Sequence, residues 1–272
     1  MNRLIVFILS ITALNVYSQD IDLEKRAKEI TDEGTLLYKL ELAAWHGTDI
    51  FYNSFKEPER IGGYFSYMDS NKPKCVFFSK AKKPRIIGSM TFGDIQVVET
   101  ANIDFGERDF SKTERDLYEI RRKALTEVQE DSLFKHYTNS SLNLIPIIFK
   151  GQKKVYVLTG PKNVGVVLFG NDYLLTFDNN NNLKDKKQLH RNLIPIEFGE
   201  DKPAVETVHS HASETGDFIT PTDICTLLLY AKFAKWKEHV VISQSYVSIW
   251  DCEKESLQIV TKDAFDKMRK TK

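Results

Sequence analysis

Residues 208–224 read VHSHASETGDFITPTDI, and this stretch predicts a strand, a loop and the start of a helix. Two histidines, His209 and His211, lie one residue apart at the end of the apolar lead-in. Side chains two apart on a strand point the same way, with α-carbons roughly 6–7 Å apart, so both imidazoles can present nitrogens to one ion. The spacing permits a pair of metal ligands and does not by itself require one.

The segment TPTDI at 220–224 supplies the helix start. Thr220 suits the N-cap, Pro221 suits the first helical position, and Asp223 falls at the third. A helix that begins there directs Asp223 back toward the strand end that carries the histidines. Asp223 can also be an acid favoured by the helix dipole, or the second half of a capping box with Thr220. These roles are compatible with metal binding.

The composition is that of an ordinary globular protein. The 272 residues are 42% hydrophobic, and 38 basic side chains balance 38 acidic ones, which is enough chain for one large domain or two small ones. A net charge of zero gives no long-range attraction to nucleic acid or to an anionic membrane. We therefore expect no nucleic-acid partner.

The N-terminus predicts export. Residues 1–18 combine a weakly basic start, an apolar core that is short for a membrane span, and small residues before Gln19. We interpret 1–18 as a signal peptide and expect a secreted or periplasmic protein without a membrane association after its removal. An uncleaved anchor is the alternative. Of the three cysteines, Cys225 and Cys252 either form a bridge or stay reduced and buried, and Cys75 lies in a strand-like run.

Hydrophobic periodicity predicts an α+β fold. In residues 19–140 we expect a helix, single or broken, that ends near Gly47, then an antiparallel meander, then a helix capped by Ser111 or Thr113. In residues 141–272 we expect strands, a hairpin turn at 179–182, the strand and helix of the quoted stretch, and further strands. Helices interleaved with strands predict a mixed sheet flanked by helices.

The quoted stretch resembles the JAMM (JAB1/MPN/Mov34) metalloprotease motif, in particular its bacterial JAB-like branch. The resemblance rests on His-x-His, a loop, then Ser or Thr, two residues and Asp at a helix start. HVVISQSYVSIWD at 239–251 is similar to the strand pair that follows this helix in the branch. The likeness covers roughly 154–251, and the whole chain resembles a group of secreted Bacteroidota proteins.

The resemblance implies a JAMM/deaminase-like domain over 141–272 with zinc ligands at His209, His211 and Asp223. It also implies that the Thr220 hydroxyl helps to hold the reaction intermediate. In such enzymes zinc acidifies a bound water, and a glutamate takes its proton before attack on an amide carbonyl.

Two features depart from the family pattern. Eight residues separate His211 from Thr220 where seven are usual, and Ala212 stands in place of proline. At the position of the glutamate base the chain has Lys162, which cannot act as a carboxylate base at neutral pH unless its pKa is strongly lowered.

Other side chains can replace the missing base. Glu206 lies at an odd offset from both histidines, so the pleat should turn it to the opposite face. Glu214 and Asp217 lie in the loop beside the expected metal, and we take Glu214 as the candidate base. His190, after the hairpin, can also approach the site, although such a residue is more often on the surface or outside the ligand shell.

These observations predict an exported zinc-dependent hydrolase of amide or isopeptide bonds in the cell envelope. The expected substrate, a peptide or a cell-wall-derived crosslink, follows from the compartment alone. The alternative is a catalytically degenerate JAMM-like fold that acts as a binding or structural module, and Lys162 favours it.

Overall fold

A computed structural model of the protein describes residues 21–199 and 205–270. The expected signal peptide and its cleavage site near Gln19 lie outside the described residues. Within the described ranges, no helix combines the length and the apolar character that crossing a bilayer requires.

In residues 21–139 the structure describes two α-helices and four strands, with short 3-10 turns between them. They are α1 (Leu23–Ser54), β1 (Ile61–Asp69), β2 (Lys72–Ser79), β3 (Ile86–Thr91), β4 (Asn102–Asp104) and α2 (Lys112–Glu130). The strands pair antiparallel in the order β1-β2-β3-β4, which is the predicted meander. Helix α2 begins at Ser111, one of the two predicted caps, whose hydroxyl accepts from the Glu114 backbone N–H.

In residues 140–199 and 205–270 the structure describes ten strands and two helices. Strands β5 to β10 are Ser140–Phe149, Gln152–Pro161, Val166–Gly170, Tyr173–Phe177, Leu183–Gln188 and Leu193–Glu197. The remaining elements are β11 (Glu206–Ser210), α3 (Pro221–Ala234), β12 (Glu238–Ile242), β13 (Tyr246–Asp251), β14 (Ser256–Thr261) and α4 (Lys262–Lys270). The fold is therefore α+β, as predicted.

A mixed sheet carries the quoted stretch. Its strand order is β11-β12-β13-β14, with β11 and β12 parallel and the other neighbours antiparallel. A parallel pair needs a long crossover, and α3 supplies it between β11 and β12. Strands β5, β6, β8 and β9 form a separate antiparallel sheet, and β7 pairs with β10 as a two-stranded ribbon.

Helix α1 is one continuous helix of 32 residues, so the expectation that it ends near Gly47 is wrong. Gly47 lies inside the helix because β2 passes close to it: a Cβ there would be 2.7 Å from the Cβ of Cys75. Gly34 likewise lies where α3 passes close to α1: a Cβ there would be 2.5 Å from the Cβ of Ile224. Both glycines are close-packing positions and not helix ends.

The hydrophobic cores cross the boundary between residues 19–140 and 141–272. One core joins Phe65 and Ile120 to Val157, and another joins Leu37 of α1 to Leu229 of α3. Helix α1 contributes to two further cores, one with α3 and the mixed sheet and one with the meander. The two parts of the chain therefore pack extensively on each other.

All three cysteines are free thiols, so the bridge between Cys225 and Cys252 is not formed. Cys75 and Cys225 are buried, and Cys252 is partly buried. Burial raises the pKa of Cys75 to about 12, so this thiol remains protonated and packs as a small apolar side chain.

Candidate metal centre

Four buried side chains converge at the end of β11: His190, His209, His211 and Asp223. Each offers one donor atom, and these atoms all lie within 4.8 Å of one another. The Nε2 atoms of His209 and His211 are 3.1 Å apart, and the Asp223 carboxylate is 3.5 Å from His211 Nε2. It is 3.7 Å from His209 Nε2 and 3.0 Å from His190 Nε2. The group could hold a metal ion.

The pleat of β11 places the two adjacent ligands. His209 is buried, whereas Glu206 and Val208 are exposed on the other face. His211 continues the alternation beyond the strand because its backbone N–H donates to the Ile242 carbonyl at 3.0 Å, which extends the pairing with β12. Glu206 thus faces away from the site, as its odd offset predicted.

The capping box of α3 places Asp223. Its backbone N–H donates to Thr220 Oγ1 at 3.2 Å, and the Thr220 backbone N–H donates to Asp223 Oδ2 at 2.9 Å. Pro221 occupies the first turn, as predicted. The Thr220 hydroxyl also donates to Asp223 Oδ2 at 2.8 Å, so it supports the carboxylate directly. Asp223 Oδ1 is buried without a well-oriented hydrogen bond, which suits an atom that binds a cation.

His190 is the ligand that sequence reasoning left outside the site. It lies between β9 and β10, where the Leu189 backbone N–H donates to the Asp172 carbonyl at 2.7 Å. The neighbouring turn needs Gly170, which has φ +85° and whose Cβ would be 2.1 Å from the Asn192 carbonyl oxygen. The sequence signal for His190 is weak, because its spacing to the other ligands depends on how two sheets pack.

Hydrogen bonds on the outer ring nitrogens orient His209 and His211. His211 Nδ1 is 2.9 Å from the Phe218 carbonyl oxygen. A carbonyl only accepts, so Nδ1 carries the proton and Nε2 of the neutral ring has a free lone pair. His209 Nδ1 is 2.9 Å from His239 Nε2, and His239 Nδ1 is 2.7 Å from Thr207 Oγ1. Partners of this kind are typical of histidines that bind metals.

A carboxylate lies behind the third histidine. His190 Nδ1 is 3.5 Å from Asp172 Oδ2, while Asp172 Oδ1 accepts from the Thr159 backbone N–H at 2.8 Å. Burial raises the pKa of Asp172 to about 7. His190 Nδ1 makes no hydrogen bond of good geometry among the described residues, so the Asp172 carboxyl group contacts this ring less firmly than the partners of His209 and His211 hold theirs.

The charge states of His209 and Asp223 match a metal's requirements, whereas His190 favours its protonated form more than a free histidine does. Burial lowers the pKa of His209 to about 3 and that of His239 to about 4, so both rings are neutral at physiological pH. Burial alone would raise the pKa of Asp223, but the His190 imidazole holds it well below its ordinary value. Burial likewise opposes protonation of His190, and Asp223 raises its pKa above the ordinary value. An ionised carboxylate and a neutral imidazole are already in the forms that bind a metal.

The candidate base lies outside this group. Glu214 is exposed in the loop, and its Oε1 is 3.4 Å from Arg191 Nη1. Asp217 is partly exposed, and its carbonyl accepts from the Ser243 hydroxyl at 2.7 Å. Lys162 is exposed just beyond β6. In the part of the chain that the structure describes, Asp223 is the one carboxylate in the metal-capable group.

A cleft of about 500 Å³ lies beside the start of α3. Its walls include Thr220, Leu189 and Lys154, but not the four ligands. The ligand side chains are at most 4% exposed. The cleft therefore reaches the residues that support the centre and stops short of the donor atoms.

Comparison with known proteins gives no assignment. No protein-family model, curated protein or solved structure matches the chain. The likeness to JAMM enzymes remains a prediction from the motif, and the interpretation of the centre depends on its own donors, distances and burial.

Proposed function

We propose that this protein binds one divalent transition-metal ion, zinc foremost, in a closed site that serves a binding or structural module. The observation that carries the proposal is the convergence of four buried donors, His190, His209, His211 and Asp223, within 4.8 Å of one another. The outer nitrogens of His209 and His211 are already hydrogen-bonded to other residues, so the chain itself orients two of the three imidazoles.

The donor set favours zinc over calcium or magnesium. Three imidazole nitrogens and one carboxylate suit Zn²⁺, whereas Ca²⁺ and Mg²⁺ prefer oxygen ligands. Copper and nickel also bind imidazole, so selectivity within the transition metals is a matter for measurement. Zinc sites with four protein ligands are usually structural, and catalytic sites usually keep one position for water or substrate.

Two observations support a closed site over a catalytic one. The ligand side chains are at most 4% exposed, so a substrate has no direct approach to them. The loop carboxylate that could act as a base, Glu214, is instead on the surface beside Arg191. This is the degenerate JAMM-like module that Lys162 favours.

A second candidate function is an exported zinc hydrolase of amide or isopeptide bonds, with a peptide or cell-wall-derived substrate. The cleft beside Thr220 supports it, because a substrate there would lie next to the residues that hold Asp223. When bound, zinc would supply polarisation of a carbonyl and a more acidic water. The chain would have to move His190 aside and bring a carboxylate such as Glu214 inward. Export, in turn, depends on the predicted signal peptide.

Metal analysis of the purified full chain tests the primary proposal. We expect one zinc per chain after equilibration with zinc, and close to none in His211→Ala. The control is His136→Ala, which changes an exposed histidine away from the centre. A wild-type protein that fails to retain zinc, or a His211→Ala variant that retains it fully, would overturn the proposal.

The His190→Ala variant separates the two candidates. A closed module loses zinc affinity and thermal stability when one of its four ligands is removed. A hydrolase that uses three ligands retains zinc and shows peptidase activity that depends on Glu214, measured by comparison with Glu214→Gln. Zinc retention together with such activity would favour the hydrolase over the module.

A further inference from the structure

A second polar cavity lies apart from the metal centre, between α1, α2, β1, β5 and α3. Its volume is about 370 Å³, and its walls include Glu41, Trp45, Tyr64, Arg121 and Tyr230. None of the four metal ligands lines it. We call it the Arg121 cavity. Its size falls in the range of sites that bind small molecules, roughly 300–1,000 Å³.

The guanidinium of Arg121 has no counter-charge among the described residues. Its Nε is buried and makes no hydrogen bond, and no carboxylate among the described residues pairs with it. Burial lowers the pKa of Arg121, which nevertheless stays charged because an arginine side chain is protonated at any physiological pH. Arg121 is partly buried, and a charge withdrawn from water without a partner is costly, so its place in the cavity wall favours a partner of opposite sign.

Glu41 lines the same cavity and does not supply that partner. Its Oε2 accepts from Asn143 Nδ2 at 3.2 Å, and burial raises its pKa to about 7. A carboxyl group that is largely protonated just below neutral pH cannot neutralise Arg121. It can instead donate a hydrogen bond to an anion that enters the cavity.

The walls indicate the rest of the ligand. The rings of Trp45 and Tyr230 are 6.0 Å apart, and Tyr64 lies on the strand side of the cavity. Aromatic side chains contact an apolar body, while the planar guanidinium matches the two oxygens of a carboxylate. A phosphate dianion would need more positive charge than one arginine beside Glu41 provides.

We propose that the Arg121 cavity binds a small organic carboxylate, whose oxygens pair with Arg121 and whose body contacts Trp45, Tyr64 and Tyr230. This site is independent of the proposed metal function, since the two share no lining side chain. The ligand belongs to the class of monocarboxylates or short dicarboxylates that fit a cavity of about 370 Å³.

Calorimetric titration of the full chain with benzoate and with succinate tests the proposal. We expect at least one of the two carboxylates to bind the wild type. If benzoate binds, benzamide, its uncharged counterpart, should bind at least about tenfold more weakly. Arg121→Gln should weaken binding by about tenfold or more, whereas Arg122→Gln, an exposed neighbour, should bind like the wild type. Failure of both carboxylates to bind the wild type overturns the proposal, and so does unchanged binding by Arg121→Gln.

A stability measurement without ligand distinguishes a ligand site from a structural arginine. Arg121→Met removes an unpaired charge and keeps the apolar stem, so its melting temperature should equal or exceed that of the wild type. A lower melting temperature would show that Arg121 supports the fold, which would contradict the proposal. The comparison of benzoate with benzamide uses the wild type and stands even if a variant fails to fold.

Discussion

The metal centre and the Arg121 cavity are both polar, yet they differ in whether their polar groups have partners. At the metal centre the outer nitrogens of His209 and His211 have partners, and the inner donors face one another. In the Arg121 cavity, Glu41 and Arg121 line one space without pairing. In the first site the protein itself orients two of the imidazoles, whereas for the second we propose that a ligand balances the charge of Arg121.

The first turn of helix α2 provides a comparison, because an arginine is paired with a carboxylate there. Arg108 Nη2 is 2.7 Å from Glu114 Oε1, and the same carboxylate accepts from Tyr67 Oη and the Ser111 backbone N–H. Glu114 lies in the first turn of the helix whose middle carries Arg121. Arg108 has a carboxylate partner, whereas Arg121 has none among the described residues. We therefore attribute the lack of a partner to the position of Arg121 in the cavity wall.

Removal of zinc should have the largest effect on the unfolding free energy. A ligand that binds the folded state alone stabilises it by about 4 kcal/mol when its free concentration is a thousand times its Kd. We expect a strong chelator to lower the unfolding free energy of the zinc-loaded protein by about that amount or more, measured by calorimetry. Whichever of benzoate and succinate binds the wild type should still raise the melting temperature of the metal-free protein. An identical melting temperature with and without zinc would contradict a structural metal.

Loss of the Glu114 carboxylate should have the second-largest effect on the unfolding free energy. Glu114→Gln leaves Arg108 without its counter-charge, and we expect it to lower the unfolding free energy by about 3 kcal/mol at pH 7, measured by urea denaturation. Glu130→Gln, at the exposed end of the same helix, should change it by less than about 0.5 kcal/mol. Similar losses in both variants would mean that the pair has no special weight.

The pH dependence of the Glu114 effect has a definite sign. Burial opposes ionisation of Glu114, but Arg108 and the hydrogen bonds lower its pKa from 4.5 to about 2. Its contribution is therefore complete above about pH 4.5 and is lost as the pH falls toward about 2. The difference between wild type and Glu114→Gln should shrink across that window.

Glu41 should show the opposite sign. Its pKa is raised by burial from 4.5 to about 7, so the folded state resists ionisation and stability falls as the pH rises through this window. Glu41→Gln should remove the decline and be more stable than the wild type by roughly 2–3 kcal/mol at pH 8. Denaturation at pH 5 and pH 8 measures it. If the wild type is instead more stable at pH 8 than at pH 5, and Glu41→Gln removes that increase, the raised pKa of Glu41 is wrong.

The smallest expected effect concerns the orientation of His190. Asp172→Asn weakens the contact behind this ligand, and changes of this kind cost about 10- to 100-fold in metal affinity, or about 1.4–2.8 kcal/mol. Competition with a zinc-binding dye measures the change. Asp185→Asn, an exposed position on β9, is the matched control. Equal zinc affinity of both variants would remove Asp172 from the support of the centre.

The sequence predicts the part of the site whose geometry is local. His209 and His211 follow from the period of a strand, and Asp223 follows from its place in a capping box. His190 comes to the centre through the packing of a ribbon on a second sheet, which no spacing in the chain encodes.

The same limit applies to the fold and to the second cavity. The meander, the mixed sheet and the helix starts follow from periodicity and caps. The continuation of α1 past Gly47 does not follow from the sequence. The glycine is there because β2, which is distant in sequence, packs closely against the helix at this point. Glu41 and Arg121 are ordinary residues of charged helix faces until α1 and α2 enclose a common space.

Helix α1 also determines how the molecule comes apart. It supplies side chains to three of the four cores, among them Ile30, Leu37 and Phe51. Detaching this helix would expose apolar surface on the meander and on the mixed sheet that carries His209 at the same time. The chain should consequently melt in one cooperative transition, and the slowest amide protons of both regions should exchange with solvent at a common rate.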